Sequence, residues 1–228
     1  MASGRKAAVA VDKFLGGNGR IDPKPAPAAE PAARLIWRNA GPAFAMDAMT
    51  RCYGEIWALQ GPLGVKERSL ATVSALVAQR LYPEIKLHIN GFLSSGGTLE
   101  ELCSFIALAA QEAGGERMDE LRGAIVADLQ WRQQSIEAYK APSHDQVEQL
   151  MRARDVVGRQ QALLARLAAA IGLGDMDKVR AHMAALAREL PAGVDRDAYM
   201  DQLVVHLVLY CGYPRGLNAL HVWQEQRQ

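Results

Sequence analysis

From Pro42 onward the chain alternates apolar and polar positions at helical spacing, as in Leu70, Val73, Leu76 and Val77, which share one face of a helix. These segments are rich in helix-favouring residues, and glycine and proline are confined largely to the joints between them. The pattern predicts an all-α protein. We expect helices at 44–59, 66–80, 83–94, 99–113, 117–139, 144–154, 159–171, 176–190, 196–211 and 215–225.

Two helix starts carry capping residues. Thr98 precedes Glu101 by three positions, and Ser143 precedes Gln146 by the same spacing. In such a capping box the hydroxyl accepts a hydrogen bond from an amide of the first turn, and the longer side chain bonds back to the cap. Helices are therefore expected to begin directly after Thr98 and Ser143.

The first 42 residues differ in composition from the rest of the chain. A short helix is expected from Lys6 to Leu15, ended by two glycines, and four prolines lie among the alanines of residues 22–31. Prolines at this density favour an extended connector. The apolar stretch before them is too short for a signal segment or a membrane span, so we expect neither export nor membrane insertion.

The remaining sequence resembles itself. A segment beginning at Lys66 leads through an Ala-containing helix to His88, and a segment beginning at Arg159 leads through an Ala-rich helix to His182. Each is followed by a short loop and a helix with an acidic start. We therefore predict an N-terminal segment at 1–42, a first helical unit at 43–142 and a diverged second unit at 143–228.

Charge and cysteine content exclude several function classes. The 26 basic and 25 acidic residues nearly cancel, so nothing indicates a nucleic-acid-binding surface. Three widely spaced cysteines, Cys52, Cys103 and Cys211, form neither a disulfide framework nor a CxxC motif. This composition argues against a zinc or CxxC redox motif and favours a protein of the reducing cytoplasm with a small-molecule or protein partner.

Two pairs of side chains, each four residues apart on a predicted helix, are candidates for chemistry. Glu84 lies one turn before His88, an arrangement that would raise the pKa of the imidazole and suit it to proton transfer. His206 and Tyr210 repeat the spacing in an apolar helix that we expect to be buried. The alternatives are a surface ion pair for the first, and a structural hydrogen-bonded histidine for either.

Three further residues are candidates for a site: Arg68, Glu55 and Trp57. Arg68 borders an apolar stripe, where it either binds a carboxylate in bidentate fashion or extends to solvent, and the residues alone favour solvent slightly. Glu55 and Trp57 flank a helical glycine, Gly54, which is costly inside a helix. The glycine indicates either helix packing or the lining of a site.

Together these residues resemble the carboxymuconolactone decarboxylase family, which also includes the alkyl hydroperoxidase D group. Tyr53 to Trp57, Arg68 to Leu70, Glu84 to Ile89 and Gly97 to Leu102 match the decarboxylase order in the first unit. The closing motif, with a histidine, a tyrosine and a Gly-x-Pro turn, is missing there and appears in the second unit at His206 to Ala219. The resemblance implies two tandem family units that form a pseudo-dimer.

The resemblance also implies a function. It predicts a cofactor-independent decarboxylase of a small carboxylated lactone or ring, as in aromatic catabolism, with Arg68 as carboxylate anchor and His88, oriented by Glu84, as proton donor or acceptor. Glu55, Trp57, His206 and Tyr210 are expected to line the pocket. The alternatives are an isomerase or other lyase and a non-catalytic ligand-binding or assembly protein; the missing cysteine pair disfavours a thiol peroxidase.

The opposite losses in the two units suggest the fusion of a former homodimer. One composite pocket would then keep Glu84 and His88 from the first unit and His206 and Tyr210 from the second, while the other pocket would be inactive. Because family members form rings of dimers, three fused chains should complete a hexamer-like ring as a homotrimer.

Overall fold

The computed structural model describes residues 43–44, 47–115, 118–135, 139–153 and 156–227. The expected N-terminal helix and the proline-rich connector lie outside these residues. The chain divides into two compact units between Gln60 and Gly61. In the unit that ends at Gln60, a π-helix spans Ala48–Ile56, and the Trp57 amide donates to the Cys52 carbonyl oxygen at 2.8 Å.

The unit that begins at Gly61 consists of α-helices, and no strand occurs among the described residues of the chain. Every helix expected from 66 onward is found, and the expected ends differ from the bounds in the structure by no more than four residues. The helices are α1 (Val65–Ala78), α2 (Tyr82–Ser94), α3 (Leu99–Glu112), α4 (Met118–Ser135), α5 (His144–Arg152), α6 (Arg159–Leu173), α7 (Met176–Glu189), α8 (Arg196–Cys211) and α9 (Tyr213–Gln226).

Both predicted capping boxes form. The Glu101 amide donates to Thr98 Oγ1 at 3.2 Å, and the Thr98 amide donates to Glu101 Oε2 at 2.9 Å. Ser143 and Gln146 make the equivalent pair of bonds at the start of α5. Two helix starts are thus fixed by the residues that the sequence indicated.

Helices α1 and α6 form the centre of this unit. Every residue of α1 from Arg68 to Ala78 is buried, and α1 packs against α2, α3, α6 and α8. Small residues allow the two central helices to approach closely: a Cβ atom added to Gly172 of α6 would lie 3.0 Å from the Ala75 carbonyl oxygen. A polar side chain on α1 is therefore enclosed by neighbouring helices.

The helix packing has a repeated pattern. Helix α1 packs on α2 and α3, and α6 packs on α7 and α8 in the same way. Two cross-contacts correspond as well, α3 with α6 and α8 with α1, and so do the contacts of α2 with α4 and of α7 with α9. Helices from both predicted repeats thus pack within one compact unit. The repeat boundary near Pro142 is not the boundary between compact units, and it stays a prediction.

Candidate functional site

Arg68 enters the interior from the enclosed helix α1. Its side chain is only 1% exposed, and Nη2 donates to Gln202 Oε1 of α8 at 3.2 Å. Burial lowers the pKa of the guanidinium, although the neighbouring Glu67 carboxylate opposes that effect. The alternative in which Arg68 extends to solvent is wrong, because the residue is almost wholly buried.

His88 lies on α2 between two fully buried residues, Ile85 and Ile89. Burial lowers the pKa of its imidazole to about 3, so the ring is neutral at neutral pH. The expected raised pKa is therefore wrong. Glu84 is exposed in the first turn of α2, whereas His88, one turn later in the helix, is buried. Desolvation, rather than the Glu84 carboxylate, sets the protonation state of His88.

His206 lies on α8 and faces α1. Its Nε2 is 2.8 Å from Thr72 Oγ1, and both side chains are buried. Burial, the positive charge of Arg68 and the neighbouring His88 lower the pKa of His206 to about 3, and a hydrogen bond with the Arg68 main chain opposes them. Burial of His206 agrees with the sequence prediction, but α8 is not covered on every side, because Val205 is 44% exposed.

Tyr210 connects the two histidines. Its ring centroid lies 5.0 Å from that of His88 in an edge-to-face arrangement, and 5.5 Å from that of His206. Tyr210 is half-buried, whereas His88 and His206 are 6% and 1% exposed. Helices α1, α2 and α8 thus bring Arg68, His88, His206 and Tyr210 into one cluster, which we call the histidine cluster.

Two residues that bond to the histidine cluster were not anticipated. Thr72 follows Arg68 by four residues and Gln202 precedes His206 by four, so each shares a helix face with a predicted residue. That spacing is the signal that could have found them. Thr72 bonds across the helices to His206, and Gln202 Oε1 accepts from Arg68 and lies 3.4 Å from the Leu63 amide. Both hold the ionisable groups in place.

Glu55 and Trp57 belong to the unit that ends at Gln60. Within it Glu55 is exposed on the π-helix, and Trp57 is buried at the C-terminal end of that helix. Their role in lining a pocket stays a prediction.

A cleft of about 580 Å³ lies elsewhere, between α7, α8 and α9, and none of the predicted site residues lines it. Among the described residues, no group of three or more His, Cys, Asp or Glu side chains could hold a metal ion. None of the three cysteines forms a disulfide. No helix in the described part of the chain is long and apolar enough to cross a membrane.

Comparison with known families gives a match to the first part of the chain. Residues 43–127 match the model of the Carboxymuconolactone decarboxylase family. The matched segment contains Arg68, Thr72 and His88 and ends before α8, which carries His206 and Tyr210. No curated protein shows significant similarity to this chain.

Proposed function

We propose that this chain, whose residues 43–127 match the model of the carboxymuconolactone decarboxylase family, is a cofactor-independent decarboxylase of a small carboxylated lactone or ring. The observation that carries the proposal is the histidine cluster. Arg68 and His88 come from the matched segment, and His206 and Tyr210 come from α8 outside it. The buried Arg68 guanidinium would bind a substrate carboxylate, and the neutral imidazoles of His88 and His206 would take up and deliver a proton.

In the proposed reaction Arg68 binds a carboxylate of the substrate. A guanidinium offers two parallel N–H donors to a carboxylate, and the interaction is stronger away from water. Arg68 is buried and already oriented by Gln202, which reduces the cost of fixing its geometry. The carboxylate that departs is a different one from the carboxylate on Arg68. The bond that joins it to the substrate carbon breaks, carbon dioxide leaves, and the electron pair delocalises into the lactone as a dienolate.

The dienolate carbon must then take up one proton. His88 and His206 are neutral before substrate binds, since both have pKa values lowered to about 3. The positive charge of Arg68 contributes to the low pKa of His206, and a substrate carboxylate on Arg68 would neutralise that contribution. Substrate binding thus favours uptake of a proton from water by the histidine cluster, which delivers it to the carbon.

The proposal includes the tandem form, with one working site per chain. Support comes from the packing pattern in which α1, α2, α3 and α4 correspond to α6, α7, α8 and α9. The histidine cluster would then combine two helices of the first repeat, α1 and α2, with one helix of the second repeat, α8. A homotrimer with a hexamer-like ring also belongs to this proposal. Exposed Val205, Tyr213 and Leu217 on α8 and α9 offer apolar surface for such contacts.

A non-catalytic ligand-binding paralogue is the second candidate. It is favoured by the very low exposure of His88 and His206, since a substrate must gain access to groups that lie almost wholly inside the protein. A thiol peroxidase is disfavoured, because no cysteine lies within the four residues before Ile85. In addition, burial raises the pKa values of Cys103 and Cys211 to about 12, which suppresses the nucleophilic thiolate.

The proposal is tested by following the ultraviolet absorbance of a carboxylated muconolactone. His88→Ala and His206→Ala should each lower kcat/KM by at least about 100-fold, the usual contribution of a proton-transfer group. His182→Ala is the matched control, since His182 lies on α7 outside the histidine cluster, and should keep its activity. Thermal unfolding confirms that each variant is folded.

Equal loss in His182→Ala would contradict the assignment of the site. Absence of turnover with every lactone tested, together with tight ligand binding, would favour the non-catalytic candidate instead.

A further inference from the structure

The packing pattern identifies a counterpart of the histidine cluster. The histidine cluster lies between α1, α2 and α8, so its counterpart lies between α6, α7 and α3. Four ionisable side chains meet there, and we call them the Glu112 cluster: Glu112 on α3, Arg166 on α6, and Lys178 and His182 on α7. His182 is also the residue that the sequence repeat aligns with His88.

Glu112 is the centre of this second cluster. Its Oε1 accepts from Arg166 Nη1 at 2.5 Å and lies 3.5 Å from His182 Nε2, and its Oε2 lies 3.5 Å from Lys178 Nζ. The Lys178 ammonium also donates to the Glu112 carbonyl oxygen at 3.2 Å. The carboxylate side chain is only 7% exposed. One buried carboxylate is thus surrounded by three nitrogen groups from two helices.

The position of Glu112 is unfavourable for a negative charge unless these groups hold it. Burial alone raises the pKa of a carboxylate, and Glu112 is the last residue of α3, where the helix dipole also opposes a negative charge. The Arg166 hydrogen bond and the charges of His182, Arg166 and Lys178 outweigh the burial and lower the pKa of Glu112. The surroundings are therefore complementary to a carboxylate.

We propose that α3, α6 and α7 form a second carboxylate-binding site that the chain fills with its own Glu112. Its identity as the counterpart of a substrate site rests on the proposed function; its affinity for a carboxylate rests on the contacts of Glu112 alone. The ligand class is a small carboxylate anion. While Glu112 occupies the site, no substrate carboxylate can enter it, so His182 takes no part in turnover.

The test removes the carboxylate and supplies one from solution. Glu112→Ala leaves Arg166, Lys178 and His182 around an empty position, and thermal unfolding is followed in 0.1 M sodium formate and in 0.1 M sodium chloride at the same pH. With a dissociation constant on the order of 10 mM, formate should shift the folding equilibrium about elevenfold. Binding of carbon-13 formate, measured by NMR, should saturate in this variant and not in the parent protein.

Glu101→Ala is the matched control. Glu101 lies on the same helix, is 17% exposed and pairs at 2.8 Å with Lys66, a lysine rather than an arginine. Removing it also eliminates an ion pair, so general loss of stability affects both variants. Only Glu112→Ala should respond to formate more strongly than to chloride. If Glu112→Ala does not fold in chloride, recovery of folded protein on refolding in formate supports the site.

Equal effects of formate and chloride on Glu112→Ala, or failure to refold in either salt, would overturn the inference. Lactone turnover by the parent protein is a separate measurement. Its absence would contradict the proposed decarboxylase without changing the formate result, whereas a missing formate effect in an active enzyme would contradict only this second site.

Discussion

Replacing His206 by glutamine should make the stability of the protein less sensitive to acid. The pKa of His206 is lowered to about 3 in the folded protein, against about 6.5 in an unfolded chain. Between these values the unfolded chain binds a proton that the folded protein excludes. The free energy of unfolding is therefore unaffected above pH 6.5 and falls as the pH drops from 6.5 toward 3.

The magnitude follows from these two pKa values. At pH 5 protonation stabilises the unfolded chain by RT ln(1 + 10^1.5), about 2 kcal/mol, while the folded protein gains almost nothing. His88, with a similarly lowered pKa, contributes a comparable loss of its own and remains in the variant. His206→Gln should therefore lose about 2 kcal/mol less than the parent protein between pH 7.5 and pH 5.

Urea denaturation followed by circular dichroism at pH 7.5, 6 and 5 measures this difference. Comparing the two proteins is necessary because Asp128 acts in the opposite direction: burial raises its pKa to about 7, so acid stabilises the folded state through this group. That contribution is the same in both proteins and cancels. His221→Gln changes an exposed histidine of α9 and provides the control. Parallel pH profiles for His206→Gln and the parent would refute the burial of a neutral His206.

Two further substitutions test a half-buried carboxylate of α4 and the hydrophobic core. Asp128→Asn should stabilise the protein at pH 8, where the half-buried carboxylate is charged, and should have less effect at pH 5. Urea denaturation midpoints at both pH values measure this difference. A lower midpoint than that of the parent protein at pH 8 would contradict it. Phe105→Ala should lower the free energy of unfolding, measured in urea, by about 3–5 kcal/mol. Phe105 is fully buried, and its ring packs edge-to-face against that of Phe92 with the centroids 4.9 Å apart. A loss under about 1 kcal/mol would show that the core is not packed this way.

The helices could be predicted from the sequence because their determinants are local. Thr98 and Ser143 cap helices through bonds to residues three positions away, and Gly174 ends α6 with a positive φ of 77°. Each of these interactions lies within a few residues of sequence. Helix α4 was predicted least well, since the expected helix includes Tyr139, which is not helical. The sequence from Ser135 to Tyr139 contains neither glycine nor proline as a stop residue.

The histidine cluster could be predicted only in part. The sequence identified Arg68, His88, His206 and Tyr210, but it gave the wrong environment for Arg68 and the wrong protonation state for His88. Both errors have the same origin. A helical pattern shows which residues share a face, but it does not show how deep each turn lies or which other helix covers it. Thr72 and His206 meet across 134 positions of sequence, and no local pattern encodes that contact.

The difference between the two clusters follows from their being in one chain. In a homodimer of identical units, any substitution appears at both symmetric sites, so Glu112 could not enter one site without entering the other. Once both units share a polypeptide, each position changes independently. Under the proposed fusion, the site between α1, α2 and α8 could keep its histidines and tyrosine while the counterpart acquired a carboxylate with cationic partners. The carboxylate in the counterpart also gives Arg166, whose side chain is 32% exposed, a hydrogen-bonded partner. Under the proposed fusion, one substitution would then both block the counterpart site and add an ion pair to the fold.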